Sequence, residues 1–317
     1  MDEDEFALVE RLRRRFAPGA ARLGPGDLGI GDDAAAVTLP HPGRVVLATD
    51  LVVEGVHVDR AVSSPEDIGW KALMVAVSDL AAMGAEVTCV LLSVAGPPGT
   101  DVDGLADGVA EAAGAAGCAV VGGDLSSAPI LVVSVTAVGS VPDDGAPLLR
   151  RSGARPGDML VVTGPLGASA AGLRLLGGSG AGTGTDDVPP GPAAAHRRPV
   201  ARLAEGDAAR RAGARAAVDV SDGLLVDAVH LAEASGVGLD LRVGPEAVAA
   251  GATRDEALGG GEDYELVLAT ADPAALAEAF ARAGLRRPVV IGSCTALAGV
   301  YQLDGGEWPE GGWRHRF

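Results

Sequence analysis

Lysine occurs once in this chain of 317 residues, at Lys71 within "DIGWKAL". The phosphate-cradling motif G-x-x-x-x-G-K-[ST] needs its lysine in a glycine loop and is absent, as is the protein-kinase signature set. Cysteine is scarce too. Cys89, Cys118 and Cys294 lie far apart and form no C-x-x-C pair. That speaks against thiolate zinc sites and a disulfide framework and fits a reducing cytosol. Aromatic residues make up 3% of the chain, so its cores must be built from Ala, Val and Leu. There is no H-E-x-x-H or comparable histidine pair, which disfavours zinc hydrolysis. No uncharged apolar run reaches the roughly 18 residues of a membrane span. The acidic opening "MDEDEFALVERL" lacks the apolar core of a signal peptide. The expectation is a soluble, cytoplasmic protein. With 25 basic against 43 acidic residues the formal charge is −18, which argues against nonspecific binding to nucleic acid or acidic membranes. A phosphate ligand stays compatible only if metal ions screen the carboxylates.

What the chain does have is 48% hydrophobic residues, 47 glycines and room for two domains. An amphipathic helix opens it ("EDEFALVERLRRRF"), followed by β-like stretches "AAAVTL", "RVVLATDL" and "VEGVHV". "SPEDIGWKALMVAVSDLAAMGA" reads as a long buried helix begun by Ser64 and Pro65. Then come the strand "VTCVLLSVAG", a helix over 102–117, "CAVVGGD" running into a loop, and the strand "ILVVSVTAVGSV". The turn "PDDG" divides the chain into residues 1–145 and 146–317. The second half repeats the alternation: a strand ending near Thr163, helices near 167–176 and 197–212, "AAVDV", "DGLLVDAVHLAEAS", "YELVLAT", a helix over 273–284, "PVVIGS" and an irregular tail. Residues 177–192 are Gly-rich and read as a mobile surface loop. The fold class is α/β (α+β), each half a mixed sheet packed with helices.

Gly24 to Gly29 match G-x-G-x-x-G literally, but a helix precedes them and a strand follows, the reverse of a dinucleotide site. The acidic residues are more informative. Asp32 and Asp33 precede "AAAV", Asp50 follows "VVLAT", Asp79 sits in "VAVSDLAAMG", and Asp124 follows "AVVGG". Asp219 and Asp222 lie in "AVDVSDG", and Glu262 and Asp263 in "GGGEDYEL". Each alone suits a solvated turn. Several at strand ends repel one another unless a hard cation intervenes, and Mg²⁺ fits such oxygen ligands. Asp79, among apolar helix neighbours, needs a partner most. Ser221 suits either a helix cap or a phosphate contact. By itself His57 reads as a packed histidine before a ligand, Trp313 could equally be a packing anchor for the tail, and Ser169 in "GASAAG" reads as helix packing.

In order, "GIGDDAAAV", "ATDLVVEGVH", "DIGWKALMVAVSDLAAMGA", "VVGGD", "LLRRSGARPGD", "HRRP", "DVSDGL" and "GGGEDYEL" resemble the thiamine-monophosphate kinase family of the aminoimidazole-ribonucleotide synthetase superfamily. The resemblance covers nearly the whole chain. It implies a two-domain enzyme, homodimeric through its N-terminal sheets, that uses ATP and Mg²⁺ to convert thiamine monophosphate to thiamine diphosphate. The first domain would bind ATP and metal, and the second would complete the nucleotide and substrate site. Carried over position by position, Asp33, Thr49, Asp50, Asp79, Asp124, Asp219 and Asp222 match metal ligands. Asp124 lies among the cofactor contacts too, with Gly123, Arg151 and Ser221 matching contacts to ATP. His57, Glu262 and Trp313 match substrate contacts. Arg151 and Asp79 would act electrostatically, with no covalent intermediate. Asp32, facing away from Asp33 along an extended segment, is expected either to support the metal ligands from behind or to be tied to backbone. Ala48, Ala76 and Leu125 stand where related chains often carry Ser, Asn and Thr. Rivals in the superfamily fit less well: selenophosphate synthetases carry a reactive residue near the N-terminus and the carbamoyl dehydratases end in cysteine, whereas here the first cysteine is Cys89 and the last residues are "RHRF". A purine-synthesis amidoligase or a catalytically silent nucleotide-binding protein remain the alternatives.

Overall fold

A computed structural model describes residues 5–25, 27–30, 34–40, 43–178, 190–309 and 311–313. The chain divides into two compact units, Met1–Leu80 with Glu86–Asp143, and Ala81–Ala85 with Asp144–Phe317.

In the first unit, α1 (Glu5–Ala20) precedes β1 (Gly43–Val53), α2 (Pro65–Ala82), β2 (Glu86–Gly96), α3 (Val102–Ala116), β3 (Ala119–Ser127) and β4 (Val132–Pro142). The described strands form a mixed sheet of order β1-β4-β2-β3, antiparallel except for the β2/β3 pair. α2 buries nearly all of its surface: Leu73, Ala76, Val77 and Leu80 are fully inaccessible. A helix so apolar on every side needs close neighbours, and glycines supply them. A Cβ on Gly69 would lie 2.0 Å from the Leu105 carbonyl oxygen, and one on Gly108 would lie 1.8 Å from that of Glu66. α2 and α3 therefore touch backbone to backbone.

The second unit contains β5 (Met159–Val162), α4 (Ala168–Gly178), α5 (Pro190–Arg197), α6 (Leu203–Arg211), β6 (Ala216–Asp219), α7 (Leu224–Ser235), β7 (Gly238–Leu241), α8 (Arg254–Gly259), β8 (Leu266–Thr270), α9 (Pro273–Arg282), β9 (Val289–Thr295), β10 (Tyr301–Leu303) and β11 (Gly306–Glu307). Its sheet runs β11-β10-β7-β9-β5-β8-β6 and is buried on both faces. Alternation along β5 shows this: Leu160 and Val162 join the cluster with Leu224 and Leu231, while Val161 joins Leu268, Leu276 and Phe280. Ala81 and Ala82 pack in that second cluster.

Several local expectations are corrected. "AAAVTL" is no strand: Ala36 makes one bridge with Leu28, and the segment is tied down by Asp27, which accepts from Thr38 N (2.9 Å). "VEGVHV" turns at Gly55 (φ +80°) instead of extending. Gly123 and Asp124 lie inside β3, because pairing with Leu92 and Ser93 carries that strand to Ser127. The helix expected over 197–212 is shorter, α6 alone, because Arg197 ends α5 and 198–202 are not helical. Of the Gly-rich 177–192 stretch, 179–189 fall outside the described residues, while Pro190 begins α5. The tail contains β10 and β11, and β7 and α8 are elements too short for the periodicity to announce.

Candidate active site

In the first unit, Asp50 projects from β1 toward the side occupied by Val46 and Val52 and is half-buried. Its Oδ2 has no hydrogen-bond partner among the described residues. Burial first, and the neighbouring Asp79 charge second, push its pKa up to about 6. A buried carboxylate oxygen left unsatisfied beside a second carboxylate is the situation a hard cation resolves, so these two residues fit Mg²⁺. Thr49 points the other way: its hydroxyl meets that of Thr136 at 3.1 Å on the exposed sheet face. The side chains of Thr49 and Asp50 thus do not converge. Asp124 is exposed on β3, and its neighbour must be glycine, since a Cβ on Gly123 would lie 1.7 Å from the Leu92 carbonyl oxygen. Among the described residues no three His, Cys, Asp or Glu side chains gather around one point, and Asp33 lies outside them.

His57 lies in the turn after β1, where its Nδ1 accepts from Val53 N at 3.1 Å. The neutral ring therefore carries its hydrogen on Nε2, as a donor. Buried Lys71 donates from Nζ to the His57 carbonyl at 3.0 Å and so fixes that turn.

In the second unit the candidate residues come together through backbone pairing. Glu262 N donates to Ser221 O (2.8 Å) and Tyr264 N to Val220 O (2.9 Å), laying the 261–264 turn beside the loop after β6. Trp313 N donates to Asp222 O (2.9 Å), returning the tail to the same loop with its ring half exposed. Asp219, Ser221, Asp222, Glu262 and Trp313 thereby form one patch. Arg151 is exposed, and its carbonyl accepts from Ser235 Oγ (3.0 Å), which also accepts from Gly153 N and Ala154 N (3.2 Å each).

The chain's ordering of this patch depends on residues that sequence spacing left without a role. Asp227 Oδ2 accepts from Ser221 N (3.1 Å), Asp222 N (3.0 Å) and Gly223 N (3.0 Å). Burial, then Asp219 and Asp222, push its pKa up to about 8. Asp263 accepts from Gly167 N (2.6 Å) and Ser169 N (3.2 Å), and burial pushes it up to about 6. Only the acidic recurrence in "SDGLLVD" and "GGGEDYEL" hints at either residue.

Residues 31–141 match the family described as AIR synthase related protein, N-terminal domain, and 155–301 its C-terminal domain. Thiamine-monophosphate kinase of Mycobacterium tuberculosis H37Rv is 41% identical over 291 residues, covering 85% of this chain and 81% of that one. The Bacillus subtilis enzyme of the same name is 36% identical, covering 83% and 82%. Among solved structures, thiamine-monophosphate kinase from Stenotrophomonas maltophilia K279a superposes with a TM-score of 0.80 at 33% identity, over 96% of this chain and 98% of that one. AaThiL complexed with AMPPCP and TMP superposes with a TM-score of 0.72 at 29% identity, over 98% and 97%. Hydrogenase maturation protein HypE shares the fold at 20% identity, with a TM-score of 0.71 over 94% and 92%. Both units carry the AIR synthase-related fold, and the chain belongs to the thiamine-monophosphate kinase family.

Proposed function

We infer that this chain transfers the γ-phosphoryl group of ATP to thiamine monophosphate, giving thiamine diphosphate and ADP. The observation that carries this reading is the second-unit patch. Two carboxylates at a strand end, Asp219 and Asp222, lie beside a carboxylate and an indole, Glu262 and Trp313, suited to a cationic aromatic substrate. AaThiL, solved with AMPPCP and TMP, has the same fold over nearly the full chain.

A terminal oxygen of the substrate phosphate attacks the γ-phosphorus, and the bond from that phosphorus to the bridging oxygen breaks. The attacking phosphate is largely ionised at neutral pH, its second pKa being about 6, so no strong base is required. Bringing two polyanions together is the difficulty. In the first unit Asp33, Asp50, Asp79 and Asp124, with Thr49 through its backbone, and in the second unit Asp219 and Asp222, would each hold Mg²⁺. Bound there, Mg²⁺ supplies charge screening and stabilises the transferring oxygens. Arg151 adds fixed positive charge, on a turn stapled by Ser235. Gly123 and Ser221 contact ATP. A cavity of about 170 Å³ lined by Leu12, Phe16, Leu92 and Val94 with Gly123 and Asp124 suits the flat, apolar face of adenine. His57 donates from Nε2 to the substrate, Glu262 accepts from its amino group, and Trp313 stacks on its rings.

The chain acts as a homodimer. Val45, Leu47 and Leu51 stand in a row on one face of β1, 52%, 66% and 56% exposed, an apolar stripe that a second sheet of the same kind would cover.

The test is incubation of the purified protein with ATP, Mg²⁺ and thiamine monophosphate. Thiamine diphosphate and ADP should appear together, and neither without the monophosphate. ATP consumption that ignores thiamine monophosphate would instead favour a different ATP-using enzyme.

A further inference from the structure

Glu262 is held in an uncommon conformation. Its φ of +63° lies in the left-handed region, which is unfavourable for a non-glycine residue. Ser221 O fixes its backbone, and Tyr264, at φ +50°, closes the turn. Strain of this kind persists where surrounding structure enforces it, commonly at ligand sites. The backbone is thus set, and the freedom left to Glu262 lies in its side-chain torsions.

Two buried residues address that freedom. His196, 4% exposed on α5, has Nδ1 3.5 Å from Glu262 Oε2 and 3.1 Å from Ser169 Oγ. Ser169, 1% exposed, stands in the first turn of α4, with its own N–H on Asp263 Oδ1. α5 reaches this position because α4 offers a glycine: a Cβ on Gly172 would lie 2.1 Å from Pro192 O and 3.0 Å from His196 Cβ. The start of α4, the end of α5 and the 261–264 turn therefore converge on one imidazole edge.

An ionised carboxylate can only accept, so the tautomer matching Glu262 carries hydrogen on Nδ1, shared with Ser169 Oγ. With Oε2 turned toward the imidazole, the carboxylate presents its other oxygen in one direction. We propose that His196, seated by Ser169, is a positioning residue for Glu262 and sets how tightly the enzyme recognises the aminopyrimidine ring of its substrate. This rests on the assignment of Glu262 to the substrate, made above. Ser169 and His196 are then parts of a support built for one carboxylate, and no nucleophilic role attaches to the Ser-His pair.

The test compares His196→Leu, His196→Asn, Ser169→Ala and Glu262→Gln by steady-state kinetics, with KM measured separately for thiamine monophosphate and ATP. His196→Leu should raise KM for thiamine monophosphate about ten-fold, the scale of weakening one hydrogen bond from the substrate to the Glu262 carboxylate. KM for ATP should stay unchanged. Asn places an amide nitrogen near the Nδ1 position, so His196→Asn should recover most of the loss. Ser169→Ala, a smaller perturbation, should give a shift in the same direction and serves if His196→Leu does not fold. An unchanged KM for thiamine monophosphate in Ser169→Ala and His196→Leu would overturn the proposal, as would equal rises for both substrates or failure of Asn to rescue. Glu262→Gln separates the two levels of inference. If it alone raises KM for thiamine monophosphate, the support role is wrong and the substrate contact stands. If it changes nothing, the substrate assignment itself falls.

Discussion

Asp227 Oδ2 accepts the backbone N–H of Asp222 at 3.0 Å, and the same oxygen takes the N–H groups of Ser221 and Gly223. One carboxylate thus shapes a loop of three residues, two of which are assigned to ligands. Asp227→Ala leaves three amides short of their acceptor, each costing about 1–3 kcal/mol if it stays dry. It should abolish thiamine diphosphate formation and lower the melting temperature. Asp227→Asn keeps an acceptor oxygen and should retain substantial activity. Equal impairment of the two variants in the same assay would show that the loop does not depend on this acceptor.

Asp50 and Asp79 repel one another in a partly buried setting, and Asp50 Oδ2 is unsatisfied among the described residues. Asp50→Asn removes the repulsion and also the charge that would hold Mg²⁺. Thermal unfolding without metal should occur at the same temperature or higher, while turnover at saturating Mg²⁺ falls about 10²–10³-fold, the scale of losing one electrostatic catalytic group. Asp79→Asn should likewise fold and lose activity. Near-normal turnover in either would remove that residue from the metal assignment.

Gly108→Ala drives a methyl group into the Glu66 carbonyl, so α2 and α3 must separate. The expected cost is about 2–3 kcal/mol or more, from overpacking against unyielding backbone. Gly114→Ala, on the same helix with nothing within 4 Å of the added Cβ, is the control and should be neutral or mildly stabilising. Chemical denaturation of both variants checks the contrast.

Leu47→Asp places a charge in the middle of the exposed β1 row. Sedimentation should then find a monomer where the unmodified chain gives a dimer. A dimer that survives this substitution must use another surface.

Asp50 and Asp263 titrate near 6 and Asp227 near 8, all above the ordinary carboxylate value of about 4. A carboxyl group raised in this way contributes stability that is complete below its unfolded value and lost as pH rises through the folded one. Asp144, lowered by its hydrogen bonds from Arg210, and Asp103, lowered by Arg11, act in the opposite sense but only below about pH 4. The metal-free melting temperature should therefore fall between pH 5 and pH 8.5. Mg²⁺ should flatten the curve by compensating Asp50 directly and by neutralising Asp219 and Asp222, the charges beside Asp227. A metal-free melting temperature that climbs over this range would contradict the assignment.

Much of this was legible in advance, and the parts that were not share a cause. Apolar periodicity around Asp79 locates α2, and the acidic recurrence points to the loop after β6 and the 261–264 turn, which backbone pairing lays side by side. The strand that the pattern ends near Asp124 runs on to Ser127, because parallel pairing with β2, which no local pattern announces, extends it. Alternation says that Thr49 and Asp50 diverge, but only the register with Thr136 shows where the threonine goes. His196 was unreadable for a different reason: its contacts with Ser169 and Glu262 are 27 and 66 positions away, and no spacing rule links them. Long-range side-chain support is written in packing, which single-sequence patterns do not contain.

The burial of Lys71 has a practical corollary. It is the chain's only lysine side chain, 2% exposed in the first unit, while Cys294, 3% exposed with its thiol pushed up to about 11, is the only cysteine in the second. Acylating and alkylating reagents can reach them only when the surrounding structure opens. Mass shifts of the peptides holding Lys71 and Cys294 after brief exposure to both reagents would therefore time the release of each half of the protein independently, with no engineered residue.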